Sequence, residues 1–241
     1  MRPSGYGISL SPNLFYNLEG DKVVYFAAGV GVVHDDESAR QKYFLRHDDD
    51  IECLSMHEDG DTIASGQYGV EPTVWIWSAK TRQGPRASPS GPGGPDLPGP
   101  IKLVLPRGER SVIACCFSPH VVGDKLVTVS TDAQHTVRVW NWSEVVDCTK
   151  CTGTGLFNRD TCPLCDGAKK QTGVPMDGMR ANAYQGTPPA VYGVVWNPHT
   201  TEETRHFCDF VTFGAKHMAC LAPGETVIVL TLSLHHYRCT C

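Results

Sequence analysis

No segment of this 241-residue chain carries a sustained 3.6-residue apolar period, which predicts little helix. Long apolar runs are missing too. The longest, Val23 to Val33, contains two glycines and falls far short of the ~20 residues a membrane-spanning helix needs. The opening residues, MRPSGYGISLSPN, have neither the charged start nor the apolar middle of a secretion signal. There is no run of Lys or Arg, and the formal net charge is -5, so nothing in the charge pattern points to nucleic acid or to a membrane as partner. Enzyme signatures are incomplete or missing. Gly29-Val30-Gly31 lacks the third glycine and the following helix of a dinucleotide loop, the Gly91 to Gly94 stretch lacks the Lys-Ser/Thr of a phosphate loop, and no GxSxG is present. These gaps predict a non-catalytic protein.

What the chain has instead is short β-rich runs separated by turn residues. Leu14–Leu18, Lys22–Ala28 and Val30–His34 form a first round, with Glu19-Gly20-Asp21 and Gly29 as the breaks. The rhythm returns at Ile51–His57, Thr62–Gly66 and Thr73–Ser78, and again at Val112–Ser118, Lys125–Ser130 and Thr136–Trp142. A fourth round starts at Val191–Asn197 and Phe207–Phe213. Three of these rounds share one grammar: an apolar strand ending in His or Pro-His, a polar turn, then a strand ending in Ser, Thr or Gly. In two of them a third strand ending in Trp follows. A period of roughly 40 to 60 residues marks a repeat architecture. Four-stranded blades arranged around an axis satisfy it, because radial repetition leaves only short, protected edges.

Two stretches interrupt the pattern. Gln83 to Pro100 is rich in Pro, Gly and Ser and predicts a flexible loop between strands. Residues 143–190 form a second insertion, which holds Cys148-x2-Cys151 and Cys162-x2-Cys165. Two CxxC pairs ten residues apart supply four thiolates, the ligand set of a closed, structural, tetrahedral Zn²⁺ site. Four thiols in an unstructured loop, or a redox CxxC, are the alternatives; the latter calls for a helix N-terminus in a βαβ unit, which the sequence does not offer. With eleven cysteines and no secretion signal, reduced thiols in the cytoplasm are expected rather than a disulfide framework. Cys53, Cys115 and Cys116 read as core residues, and Asp48-Asp49-Asp50 as a solvated loop entering a strand.

The stretches NLFYNLEGDKVVYFAAGVGVVHD, QKYFLRHDDDIECLSMHEDGDTIASGQ, VRVWNW and VVWNPH…FVTFGAKH resemble the echinoderm microtubule-associated protein-like family of WD-repeat proteins. The resemblance implies an all-β, partial WD-repeat β-propeller of about three to four blades. It also implies tubulin or microtubules, or other proteins, as partners and a cytoskeletal location. In the WD-repeat class a His, a Ser/Thr, an Asp and a Trp form a buried hydrogen-bond network in each blade. His47, Ser65 and Trp77 match three positions of the first network, whose Asp is missing from the Gln67–Pro72 turn. Ser130, Asp132 and Trp140 match the second, whose His is missing near Gly108. CTKCTGTG and CPLCDGA resemble the CxxCxGxG repeats of the DnaJ-type zinc domain, although Lys169 replaces the last glycine and no J-domain accompanies them. The resemblance supports a zinc-ribbon-like element at 148–167 without implying co-chaperone activity.

The expected layout is therefore first blades at 1–142, the insertion at 143–190, a further partial blade at 191–217 and a divergent tail at 218–241. That tail, MACLAPGETVIVLTLSLHHYRCTC, departs from the repeat grammar and reads as a divergent or truncated end. A general interaction scaffold, or a zinc-ribbon module with a redox or chaperone-like role, are the alternative functions. Three and a half blades do not close a ring, which predicts exposed apolar blade faces.

Overall fold

A computed structural model describes residues 13–81, 99–106, 108–119, 124–132, 135–148, 150–162, 170–182, 190–198, 209–215 and 217–221. Among them the secondary structure is all β, in antiparallel sheets laid down in chain order. The first sheet holds β1 (Leu14–Tyr16), β2 (Lys22–Ala27), β3 (Val30–Asp35) and β4 (Arg40–Phe44) in sequential order. The second repeats that order with β5 (Ile51–Met56), β6 (Thr62–Gln67), β7 (Thr73–Ser78) and β8 (Ile101–Val104). In the third, β9 (Val112–Phe117), β10 (Lys125–Ser130) and β11 (Thr136–Asp147) are followed by an excursion before the outer strand arrives. The excursion carries the ribbon β12 (Leu156–Phe157) and β13 (Asp160–Thr161), and the outer strand is β14 (Lys170–Asn182). The fourth sheet has three strands, β15 (Ala190–Trp196), β16 (Phe210–Ala215) and β17 (His217–Leu221).

The sheets stack face to face, and each join is an apolar layer. Between the first and second lie Val24, Val33, Phe44, Leu54, Ile63 and Trp77. Between the second and third lie Cys53, Ala64, Ile76, Leu103, Phe117, Leu126, Trp140 and Trp142. Between the third and fourth lie Ala114, Val127, Val139, Val194, Trp196 and Phe210. The leading strands β5, β9 and β15 run side by side along the inside of the stack. A middle sheet is covered on both faces, so every residue of β6 is buried and the half-buried alternation of a surface strand disappears.

Close approach of sheets is built in locally. Gly31 on β3 lies under the Trp77 indole, where an added Cβ would come within 2.9 Å of the ring, and this lets Phe44 and Trp77 stack at 4.6 Å with an interplanar angle of 4°. Trp196 reaches back from the fourth sheet and donates its indole N–H to the Cys116 carbonyl on β9 at 2.9 Å.

Four details differ from the sequence reading. The outer strands β4, β8 and β14 were not foreseen, because they are short, polar or irregular in pattern. The insertion is narrower than 143–190: β11 continues to Asp147 and pairs with Lys170, so both flanks belong to the third sheet. The region assigned to the tail begins with β17, which pairs with β16 through Phe210↔Leu221, Val211↔Cys220 and Phe213↔Met218. Cys220 is disulfide-bonded, against the expectation of reduced thiols. The remainder of the tail, including His235, His236, Cys239 and Cys241, lies outside the described residues, as does most of the Gln83 to Pro100 loop.

Candidate functional site

The excursion between β11 and β14 is an arm that leaves the third sheet between those two strands. The two long strands zip together as far as Asp147↔Lys170, a junction closed by a 2.9 Å Lys170–Asp147 ion pair. At its base Gly173, with φ +86°, fits against Leu103 of the neighbouring sheet, where a Cβ would come within 2.2 Å of the leucine side chain. At its tip a tight loop turns through Thr152, Gly153 and Gly155, all at positive φ, and then the β12–β13 hairpin turns through Asn158 and Arg159. These turns fold Cys148, Cys151 and Cys162 onto one another. All three are buried, and their sulfurs lie within 4.8 Å of each other.

The spacing suits a metal. Zn–S bonds of about 2.3 Å in a tetrahedron put neighbouring sulfurs about 3.8 Å apart, and Cys148 and Cys162 stand 3.7 Å apart. That is far beyond the ~2.05 Å of a disulfide. The Gly155 N–H donates to the Cys151 sulfur at 3.2 Å, a contact that favours a thiolate and orients it. The buried three-thiol cluster can hold a metal ion. Cys165, the fourth residue of the two CxxC pairs, lies outside the described residues.

The blade networks form a second set of polar contacts. In the second sheet the hydrogen bonds have one consistent direction. Gln67 Nε2 donates to the Asp48 carboxylate, which only accepts, so Gln67 Oε1 faces His47. His47 Nδ1 then donates to Gln67 Oε1 at 2.7 Å, its Nε2 accepts from the Ser65 hydroxyl at 2.7 Å, and Trp77 Nε1 donates to Ser65 at 3.1 Å. Burial pushes the His47 pKa down to about 4, so the ring is neutral near pH 7, as this chain of donors requires. Gln67 was missed by sequence reasoning. It holds His47 from the end of β6, and the signal for it is a polar residue in the register of a fully buried strand.

The third sheet is built differently. Trp140 Nε1 donates to Thr128 Oγ1 at 2.9 Å, while Ser130 donates to the Thr136 carbonyl at 3.2 Å. Asp132 accepts from the Thr136 backbone N–H at 2.6 Å and from its hydroxyl. Ser130, Asp132 and Trp140 are therefore not gathered into one network: the hydroxyl on the tryptophan is Thr128, two residues earlier on the same face. Register explains this, because Leu126 faces Trp140 just as Ile63 faces Trp77, which makes Thr128 the counterpart of Ser65. Near the vacant His position, a buried Glu109–Arg138 ion pair spans the end of the sheet. Glu109 Oε2 and Arg138 Nε have no hydrogen-bond partner.

An open hollow of about 410 Å³ lies where the first sheet meets the second, lined by Gly29, Val30, Leu45, His47, Asp48, Asp49 and Asp50. Partial burial and then the charges of Asp50 and Asp49 raise the pKa of nearby Glu52. Among the described residues no helix is long and apolar enough to cross a membrane.

Stacked, sequentially ordered antiparallel sheets with a tryptophan–hydroxyl contact in each middle blade define a partial WD-repeat β-propeller. Solved structures agree on the fold. The WD40 repeats of RRP9 superpose with TM-score 0.51 at 18% identity, covering 92% of this chain and 52% of that one, and the structure of U3-55K does so with TM-score 0.53 over the same shares. By sequence the chain is similar to echinoderm microtubule-associated protein-like proteins. Echinoderm microtubule-associated protein-like 2 of Rattus norvegicus is 34% identical over 153 residues, covering 59% of this chain and 21% of the relative. Echinoderm microtubule-associated protein-like 1 of Homo sapiens is 29% identical over 163 residues, with shares of 63% and 18%. The 77 kDa echinoderm microtubule-associated protein of Strongylocentrotus purpuratus is 29% identical over 137 residues, with shares of 54% and 18%. The chain thus spans about a fifth of the length of these curated relatives. No family model matches it.

Proposed function

We propose that this chain is a non-catalytic, cytoplasmic binding platform of the cytoskeleton that contacts tubulin or microtubules through its propeller surface. The observation that carries the reading is the 34% identity over 153 residues to a protein named for microtubule association. Fold alone would not supply it, since propellers serve many partners. His47, Ser65, Trp77, Ser130, Asp132 and Trp140 have structural roles in this reading: they hold blades in register and touch no ligand. Co-sedimentation of the folded, zinc-loaded chain with taxol-stabilised microtubules tests it. Saturable pelleting is the expected result; a chain that stays in the supernatant at all tubulin concentrations contradicts it.

The arm holds one structural Zn²⁺ on Cys148, Cys151, Cys162 and Cys165. Four protein thiolates leave no open position, so the ion would supply folding energy to a coreless tip and no chemistry on a substrate. The 3.7 Å sulfur spacing and the Gly155 N–H on Cys151 support this. Metal analysis should find one zinc per chain, lost in a Cys151→Ser/Cys165→Ser double variant. Thiol reductase activity in a zinc-free chain would instead favour the redox alternative, and partner capture through the arm alone would favour a general scaffold.

A further inference from the structure

We infer that Cys53 of the second blade and Cys115 of the third form an oxidation site, at which a hydroperoxide converts the thiol pair into a disulfide that staples the two blades together. The inference goes beyond the tubulin and zinc readings and is independent of both.

The fold brings these two thiols into contact from far apart in the chain. Cys53 lies on β5 and Cys115 on β9, the leading strands that run side by side where the second sheet meets the third. They are 62 residues apart in sequence, yet their sulfurs are 3.5 Å apart, and the Cys53 thiol donates to the Cys115 sulfur. Both are free thiols. Cys53 is seated by a missing side chain: a Cβ on Gly66, its cross-strand partner on β6, would come within 2.7 Å of the Cys53 sulfur. Reaching the ~2.05 Å of a disulfide takes about 1.5 Å of sulfur movement, shared between two side chains.

The surroundings separate this pair from the thiols of the arm. At Cys151 a backbone N–H donates to the sulfur and favours the thiolate. At Cys115 the hydrogen bond with Cys53, and then burial, push the pKa up, which keeps the thiol protonated and unsuited to a metal. Protonated, apolar thiols oxidise slowly, so the pair responds to sustained exposure to oxidant. Cys115 is 8% exposed and Cys53 1%, which makes Cys115 the sulfur that meets the peroxide. Its attack breaks the O–O bond and gives Cys115 sulfenic acid and an alcohol, or water from hydrogen peroxide itself. The Cys53 sulfur then displaces the sulfenic hydroxyl, which leaves with the Cys53 proton as water while the S–S bond forms. Two electrons pass from the sulfurs to the peroxide. Oxidised sulfur is already part of this fold, since Cys220 is disulfide-bonded. The staple closes a loop that contains β6, β7, β8 and the Gln83 to Pro100 stretch. Tying off so long a loop removes more freedom from the unfolded chain than a short crosslink would.

Hydrogen peroxide treatment of the folded, zinc-loaded full chain tests this, followed by alkylation in denaturant and non-reducing tryptic mapping. The expected product joins the peptide 47–80 to the peptide 111–125, two hydrogens lighter than their sum. The link should raise the melting temperature by on the order of 10 °C, measured against Cys53→Ala given the same treatment. Cys116→Ala should keep both the link and the rise, and dithiothreitol should reverse them. Three results would each overturn the inference: Cys53 and Cys115 unlinked after exhaustive peroxide treatment, a link that persists in Cys115→Ala and so runs through Cys116, or a linked chain that melts no higher than the reduced one.

Discussion

The second and third blades solve the same packing problem with different chemistry. Both set a tryptophan of the third strand on a hydroxyl of the second, Trp77 on Ser65 and Trp140 on Thr128. Beyond that hydroxyl they diverge. The second blade continues through a neutral histidine, a glutamine and a surface carboxylate. In the third, no histidine among the described residues joins the Thr128–Trp140 contact, and a buried, incompletely satisfied Glu109–Arg138 pair closes the end of the sheet. The shared element is the one that fixes how a blade seats on its predecessor. The rest is free to vary as long as buried polar atoms find partners.

The largest losses fall at the tryptophans. Trp77→Ala and Trp140→Ala each remove a buried indole from an interblade layer, and denaturant melts should show losses of about 3–5 kcal/mol for both. A loss confined to one of them would mean that the blades are not equivalent. Next come the ends of the blades. Arg138→Met strands Glu109 as an unpaired buried charge, at a cost of about 3–5 kcal/mol. The double change Arg138→Met/Glu109→Leu should recover most of that loss, since an imperfectly paired buried ion pair is often no better than apolar residues of similar size.

The two ends also separate by pH. The folded pKa of His47 sits below its unfolded value of about 6.5, so the unfolded chain binds the extra proton between the two. This contribution to stability is fully present above pH 6.5 and fades as the pH falls toward 4, by on the order of 3 kcal/mol. Melts of wild type and His47→Gln across that window should converge at the acidic end; parallel curves would show that His47 is not buried neutral. The smallest effects belong to the hydroxyls. Ser65→Ala unpairs both His47 and Trp77 and should cost about 2 kcal/mol, whereas Thr128→Val unpairs only the Trp140 indole and should cost about 1 kcal/mol. Equal losses would remove the distinction between a relayed and an isolated contact.

How far this was legible in the sequence depends on burial. The inner three strands of each blade announce themselves because apolar β-branched residues and Trp recur at fixed offsets, and those offsets reflect faces buried against neighbouring blades. The outer strands do not. Arg40–Phe44 is mostly exposed, so it carries no apolar pattern, and β14 is interrupted by bulges where it bends to carry the arm. Spacing alone was enough to single out the thiol cluster, since CxxC pairs are local. The hydroxyl partner of Trp140 was misassigned by two residues, because Ser130 and Thr128 lie on the same face of β10 and only cross-strand register distinguishes them. Gln67 escaped notice because an amide in place of the usual carboxylate leaves no motif.

Successive sheets seat on one another through tryptophans that cross from blade to blade. Nuclear Overhauser contacts from the indoles test it most directly. Trp77 should report the Phe44 ring, Trp142 the rings of His57 and Phe117, and the Trp196 indole proton the backbone around Cys116. Indoles that contact only residues of their own sheet would contradict a stack of blades.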